Sequence, residues 1–345
     1  MKAGIIGATG YSGIELVRLL HFHPNVDLVK IISNSKNGEE ISEVFPHLSN
    51  IFQLELSTLD IDELAKGVDL IFLAVPSGIS KKILPVFMEK EIKCVDLSGD
   101  FRLKNPEDYE KWYGGRTADK HYLTQATYGL SEIFKEDIRN AHYIANPGCY
   151  PTAALLGLIP ALKNGIIDKD SIIIDGKSGA SGAGRKAATA TLFAEINENV
   201  KAYKLGKHQH IPEIEQILGK VSSEIINITF TTHLLPITRG IMCTMYTKLQ
   251  GTTSEEKVID LYKAFYEETE FIRIRDAGRI PAIKEVSGSN YCDIGFAIDE
   301  RTGTLVIVSC IDNILKGAAG QAIQNMNLMM GWDESLGLTA APSYP

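Results

Sequence analysis

Three glycines, Gly7, Gly10 and Gly13, stand at three-residue spacing in the stretch IIGATGYSG. Before them runs the short apolar segment AGII, and after them Ile14, Val17 and Leu20 recur at helical spacing. A strand that turns sharply into a helix needs glycine at the turn, and a second glycine lets the backbone approach a ligand closely. This arrangement at the start of a chain predicts the first unit of a doubly wound parallel sheet. The following segments fit: VDLVKIIS and VDLIFLAVP read as strands, the second apolar enough to be covered on both faces. ISKKILPVFMEKE reads as a helix despite Pro85, and IKCVDLSGD as the next strand.

In that context the glycine turn is a dinucleotide site. The residues expected to line it are Gly7, Thr9, Gly10, Tyr11, Ser12 and Gly13, with free N–H groups at the helix start holding a pyrophosphate. The second strand ends IISNSKNG, where an NAD-binding chain usually has an acid for the ribose hydroxyls. Ser33, Asn34, Ser35 and Lys36 offer donors and a cation instead, so NADP(H) is the expected cofactor. Pro76 and Ser77 close the next strand, where the nicotinamide half should lie. A glycine-rich turn that only packs, beside a solvated polar loop, is the competing reading.

After residue 148 the pattern changes. CYPTAALLGLIPALKNG is an apolar helix closed by Gly165, and strand-like runs with long connections follow. A hairpin is expected around Arg301, Thr302 and Gly303, and Ser254 is placed to cap an amphipathic helix. The expected fold is α/β. A Rossmann domain with a doubly wound parallel sheet spans 1–148 and is completed by a C-terminal helix within 314–345. An α+β catalytic and oligomerisation domain with a mixed, mostly antiparallel sheet spans 149–313. A chain of 345 residues is long enough for two such domains.

The formal net charge of -8, without any basic arm, argues against nucleic acid as a partner. Five cysteines without a CxxC pair argue against a disulfide framework or a structural zinc, and no metal site is expected. No apolar run reaches the ~18 residues of a membrane span, and none near Met1 reads as a signal peptide. A cytoplasmic protein is the expectation.

Cys149 follows Asn146, Pro147 and Gly148 at the start of the apolar helix. A helix N-terminus lowers a thiol pKa, and its N–H groups stabilise an oxyanion. On spacing alone a buried structural cysteine is the commoner explanation, and the turn set by Pro147 and Gly148 brings the nucleophile reading level with it. A thiol nucleophile needs a base, and GKHQHIPEIEQ supplies His208 and His210, with Glu213 three residues beyond the second. A surface histidine pair beside a helix start is the alternative. Arg102 in DLSGDFRL is a candidate anion clamp. The loop GKSGASGAGR reads as an anion-holding turn with Lys177, Ser178 and backbone N–H groups as donors, and Gly182 within it is expected on the cofactor. Asn313 precedes a run of small residues suited to close approach of a nicotinamide.

Taken together, GATGYSG, DLSGDFRL, NPGCYPT, SGASGAGR, HQHIPEI and DNILKGAAGQA resemble, in order and over essentially the whole chain, the N-acetyl-gamma-glutamyl-phosphate reductase family. Aspartate-semialdehyde dehydrogenases and a sister group acting on carrier-linked aminoadipyl phosphate are similar in fold and thiol chemistry. The resemblance implies an NADP-dependent reductase of arginine biosynthesis with Cys149 as catalytic nucleophile. It implies that the histidine pair divides into a base, assigned to His210, and a substrate-binding residue, His208. Arg102, Asn146, Lys177, Ser178 and Glu213 are the remaining substrate-side candidates. A small-molecule substrate, N-acetylglutamyl phosphate, and a homo-oligomer are also implied.

Overall fold

The structure of the protein is a computed structural model, and it describes residues 1–344. The chain divides into two compact units. The first comprises Met1–Pro147 and Ala318–Thr339; the second comprises Gly148–Gly317 and the stretch that begins at Ala340.

The first unit is built on seven strands: β1 (Lys2–Ile6), β2 (Asp27–Ile32), β3 (Leu56–Ser57), β4 (Leu70–Leu73), β5 (Lys93–Asp96), β6 (Thr127–Tyr128) and β7 (Tyr143–Ala145). Their order is β3-β2-β1-β4-β5-β7-β6, and every pairing is parallel. The order reverses between β1 and β4, the switch point where α/β sheets bind ligands at their carboxyl edge. All four residues of β4 are buried, as its unbroken apolar run requires of a strand covered on both faces. Helix Ser80–Glu89 forms around Pro85 as expected.

The C-terminal helix Gly320–Met329 completes this unit through buried polar contacts. Gln321 Nε2 and Asn325 Nδ2 donate to Gly129 O at 3.0 and 2.8 Å, and Ser131 Oγ donates to Asn325 Oδ1 at 2.7 Å. The crossing back into the first unit falls at Gly317–Ala318, later than the expected 314. Residues 314–317 stay with the second unit because the buried Asp312 carboxylate accepts the N–H groups of Ile314 and Leu315 at 2.9 and 3.0 Å. The chain end also returns to that unit, where Ser343 N donates to Ser287 O at 2.7 Å.

The second unit holds β8 (Ile173–Ser178), β9 (Lys201–Tyr203), β10 (Thr229–Leu234), β11 (Ile241–Lys248), β12 (Ile272–Ile274), β13 (Cys292–Asp299) and β14 (Thr304–Ile311). The order is β12-β13-β14-β11-β8-β10-β9. Two pairings, β10 with β8 and β12 with β13, are parallel; the other four are antiparallel. The expected hairpin joins β13 to β14, and Ser254 Oγ caps the helix Glu255–Phe265 by accepting Lys257 N.

One face of this sheet carries the helix Cys149–Lys163, which packs on β11 and β14. Gly148 is extended, so the helix begins at Cys149, and Gly165 at φ 63° turns the chain after its end. Every residue from Tyr150 to Leu162 is buried. A helix apolar all round is stable only as a core element. Strand periodicity puts Ile174, Gly176 and Ser178 on the face beneath this helix, and Ile173, Asp175 and Lys177 on the opposite face. Gly176 is required there, since a Cβ would lie 2.6 Å from Tyr150 Cε1. Leu155, fully buried, should therefore be costly to truncate. Leu155→Ala is expected to lower the unfolding free energy by about 2–5 kcal/mol in urea titration; a loss below ~1 kcal/mol would mean this helix is not core.

Candidate active site

The glycine turn is shaped by contacts that exclude side chains. Gly7 has φ 91°, and a Cβ there would overlap Ala74 O; a Cβ on Gly13 would overlap Gly7 O. At Gly10 the nearest atom would be an ordinary 3.5 Å away, so the room there is left open rather than filled by the protein. Gly10 is the N-cap of helix Tyr11–His21, without a side-chain cap. The first-turn N–H groups of Tyr11, Ser12 and Gly13 have no acceptor within a helix. Such a cradle fits a dinucleotide pyrophosphate. Thr9 Oγ1 lies 3.0 Å from Ser33 Oγ, which is 3.4 Å from Ser35 Oγ, so hydroxyls link the turn to the end of β2. Asn34 Oδ1 accepts Leu59 N at 3.3 Å, and Lys36 Nζ pairs with Glu39 at 3.1 Å on the surface.

The loop after β4 is fixed by the carboxylates of DLSGDFRL. Asp100, fully buried, accepts Gly78 N at 2.7 Å, Lys81 N at 2.9 Å and Tyr109 Oη at 2.7 Å. Ser77 Oγ accepts Gly99 N at 3.1 Å, and Pro76 O accepts Ile79 N at 3.2 Å. Burial, with Asp100 adding to it, pushes the Asp96 carboxyl up to about 6 against the hydrogen bonds from Ser98. Arg102 is buried and donates from Nε to Asn146 O and from an Nη to Leu97 O, both at 2.8 Å. Two of its N–H groups thus tie the ends of β5 and β7 together. Asn146 is fully buried, donating to Ala318 O at 3.2 Å and accepting from Asn325 Nδ2 at 3.0 Å.

In the second unit Cys149 is the first residue of its helix and is partly exposed. The other four cysteines are buried in β5, β11, β13 and β14, and burial raises the thiols of Cys94, Cys243 and Cys310. Both sequence neighbours of Cys149 touch the histidine segment. Gly148 N donates to Glu213 Oε1 at 2.8 Å. The Tyr150 ring lies 5.5 Å from that of His208 and 6.1 Å from that of His210, centroid to centroid. The two imidazoles are 4.7 Å apart. His210 is the N-cap of helix Ile211–Ser222, where Pro212 suits the first turn.

The two histidines differ in environment. His208 sits among the ring edges of Tyr150, Tyr203 and Phe230, and its Nδ1 accepts His210 N at 3.2 Å. Burial, helped by the Lys204 charge, pushes it down to about 3, so it is neutral at pH 7. His208 is thus enclosed by aromatic rings and hydrogen-bonded to the main chain of His210. Glu213, expected on the substrate side, is fully buried, and its Oε1 accepts Gly148 N in the turn before Cys149.

Lys177 needs correction. Strand alternation turns it to the sheet face opposite Tyr150, where Nζ pairs with Asp175 at 2.6 Å and Asp175 also meets His233 Nδ1 at 3.0 Å. The anion-loop reading fails as well, because the N–H groups of Gly179, Ala180, Ser181, Gly182 and Gly184 all donate to carbonyls within the protein. Ser178 is buried, with Oγ donating to Gly179 O at 3.1 Å. Asn313 is consumed structurally: Oδ1 accepts Gly240 N at 2.6 Å and Nδ2 donates to Ser181 Oγ at 3.0 Å. Gly317 was missed. A Cβ there would lie 2.7 Å from Cys149 Cβ and 3.2 Å from its Cα. The signal was the small-residue run KGAAG, with nothing in it to name the neighbour.

The depressed His208 has a consequence for stability. An unfolded chain binds a proton on this residue near pH 6.5, whereas the folded imidazole takes one up only near pH 3. Between those limits acidification favours unfolding, and stability rises with pH. His208→Gln should therefore lose less stability than the native chain between pH 6.5 and 4.5, read from urea midpoints. Parallel losses would show that His208 is not held neutral.

Two family models match the chain: the semialdehyde dehydrogenase NAD-binding domain over residues 2–141 and the semialdehyde dehydrogenase dimerisation domain over 149–313. Similar relatives include N-acetyl-gamma-glutamyl-phosphate reductase of Geobacillus sp. (strain WCH70), 55% identical with all of both chains covered. That of Oceanobacillus iheyensis is 53% identical, covering all of this chain and 99% of the other. Among solved structures, aspartate semialdehyde dehydrogenase II from Vibrio cholerae complexed with ASA has a TM-score of 0.73 at 19% identity, covering 96% of this chain and 98% of that one. Aspartate semialdehyde dehydrogenase with NADP from Candida albicans gives 0.71 at 15% identity, covering 95% and 98%. The last two share the fold. On the glycine cradle, the cysteine at its helix start and full-length identity above one half, the chain belongs to the N-acetyl-gamma-glutamyl-phosphate reductase family of semialdehyde dehydrogenase-type oxidoreductases.

Proposed function

We propose that the chain reduces N-acetyl-L-glutamyl 5-phosphate to N-acetyl-L-glutamate 5-semialdehyde and phosphate, with NADPH, through a thioester on Cys149, in arginine biosynthesis. The observation that carries this reading is the one partly exposed cysteine among five, at a helix N-terminus, with both flanking residues bound to the histidine segment. His210 is the base in this reading, and the burial that lowers His208 to about 3 makes His208 the weaker proton acceptor.

His210 takes the thiol proton, and the Cys149 thiolate attacks the acyl carbon. The C–S bond forms as the C–O bond to phosphate breaks, and the proton departs with phosphate. N–H groups of the helix start stabilise the negative charge on the carbonyl oxygen. The hydride that reduces the thioester carbonyl is the chemistry a bound NADPH supplies at the glycine cradle. The resulting thiohemiacetal collapses: the C–S bond breaks, the aldehyde is released, and the imidazolium, reprotonated from solvent, returns a proton to sulfur. Splitting one reduction in two places an activated carbonyl before the hydride. Arg102 is the candidate for the substrate's anionic groups.

Thr9, Ser33, Ser35 and Lys36 form the candidate 2′-phosphate site, and the absence of an acid at the end of β2 supports NADP over NAD. A second copy of the chain is the proposed partner, docking on the outer face of the mixed sheet. There Tyr246 and Ile173, register partners on β11 and β8, are 37% and 45% exposed, and the matching family model is described as a dimerisation domain.

Phosphate-dependent oxidation of aldehydes with NADP tests the reading in reverse. N-acetylglutamate 5-semialdehyde should exceed aspartate semialdehyde in kcat/KM by roughly a hundredfold or more; equal rates would refute the substrate assignment. Cys149→Ser should lose turnover by roughly a thousandfold or more while still binding NADPH, and an active Ser variant would remove the thioester. Lys36→Glu should raise Kd for NADP about tenfold with little change for NAD; equal weakening would dismiss the phosphate role.

A further inference from the structure

The residues that follow β14 form a π-helical turn, Leu315–Ala319, before the C-terminal helix begins. Such turns are uncommon and concentrate where a backbone must be held out of helical register. The register here is set within the second unit. Gly317 N donates to Asp312 O at 2.9 Å, one residue beyond α-helical spacing. The Asp312 side chain is fully buried and accepts four donors. They are Ile314 N at 2.9 Å, Leu315 N at 3.0 Å, Gly288 N at 2.8 Å and the Arg239 guanidinium at 3.0 Å. Lys316, also fully buried, extends its ammonium over the Phe271 ring, 5.6 Å from the centroid. A buried lysine is expensive unless compensated, so it fixes the turn in one orientation.

The consequence falls on the next residue. With Lys316 turned into the core, Gly317 presents its Cα hydrogens to the main chain of Cys149. A Cβ in their place would stand 2.7 Å from Cys149 Cβ, 3.2 Å from its Cα and 3.3 Å from Ile311 Cδ1. The first two are atoms of a helix start, and no side-chain rotation relieves them. The residue before Cys149 is held in turn: Gly148 N donates to Glu213 Oε1 at 2.8 Å, and Thr152 Oγ1 donates to Gly148 O at 3.0 Å.

We infer that Gly317, fixed by Asp312 and Lys316 in the π-helical turn, is a positioning residue for the nucleophile: it wedges the Cys149 main chain against the Glu213 anchor and so sets where the sulfur can point. The inference rests on Cys149 being the nucleophile of the proposed reduction. It assigns no proton or hydride to Gly317. Its effect is geometric, and displacements near 1 Å at a reacting atom cost on the order of a hundredfold in rate.

The test is Gly317→Ala. It is read by phosphate-dependent aldehyde oxidation and, independently of turnover, by the rate at which iodoacetamide alkylates Cys149, located by peptide mass. The other four thiols are buried, so Cys149 gives the readable signal. The expected result is a fall in kcat of about ten- to a hundredfold, KM for the aldehyde and Kd for NADP within about threefold, and an altered alkylation rate. Native kcat and native alkylation in a folded Gly317→Ala protein would overturn the inference. Should that variant fail to fold, Asp312→Asn decides. It keeps the shape of the cap but weakens the Arg239 pairing, and several-fold losses in kcat and changed alkylation support the wedge, while native values of both overturn it. Failure of the underlying reading looks different: Cys149→Ser would then retain turnover, whatever happens at Gly317.

Discussion

One hydrogen bond holds the candidate chemistry in place. The Gly148 N–H donates to a Glu213 carboxylate that has no access to water, and this joins the start of the cysteine helix to the start of the helix carrying His210. A buried carboxylate is costly unless its oxygens are satisfied, so the contact is directional and hard to exchange. Tyr150 adds the packing half of the same joint. Its ring fills the space over Gly176 and lies edge-on to both imidazoles. Loss of either half would leave the thiol on an intact helix with no fixed relation to the two imidazoles.

The same economy of space recurs in the glycine turn. Gly7 and Gly13 are glycine because protein backbone already occupies the position of a Cβ, whereas at Gly10 the missing side chain leaves room for a ligand. Three glycines that look equivalent in the sequence therefore do different work. Two close the strand–helix joint, and one opens it. The carboxylates of DLSGDFRL behave similarly. Asp96, the last residue of β5, and Asp100 beyond it are both fully buried, and Asp100 organises the loop after β4 through three donors.

Misassigned residues share a physical cause. Lys177 and Ser178 are adjacent, and only strand period and sheet burial decide that Ser178 lies under the cysteine helix while Lys177 faces away to pair with Asp175. The loop after them is rich in glycine and small residues, as an anion-binding turn would be, but the N–H groups of Gly179, Ala180 and Ser181 are spent on Gly240, Ile237 and Thr238, and those of Gly182 and Gly184 on the loop's own carbonyls. Composition reports which donors exist; whether they are free depends on partners about sixty residues away. Asn313 and Asn146 illustrate the same limit, since both have polar side chains that secure neighbouring backbone or another carboxamide.

Sequence alone determined the parallel sheet of the first unit, the mixed sheet of the second, the cysteine at a helix start and the histidines before another. These follow from local periodicity and from glycine and proline at positions where only they fit. The tertiary structure alone decided that His208 is buried among aromatic rings, which acid anchors the turn before Cys149, and that Gly317 meets Cys149. The last two are contacts between segments about sixty or more residues apart. Burial by distant side chains shifts a pKa or excludes a Cβ, and nothing in the neighbouring residues encodes it.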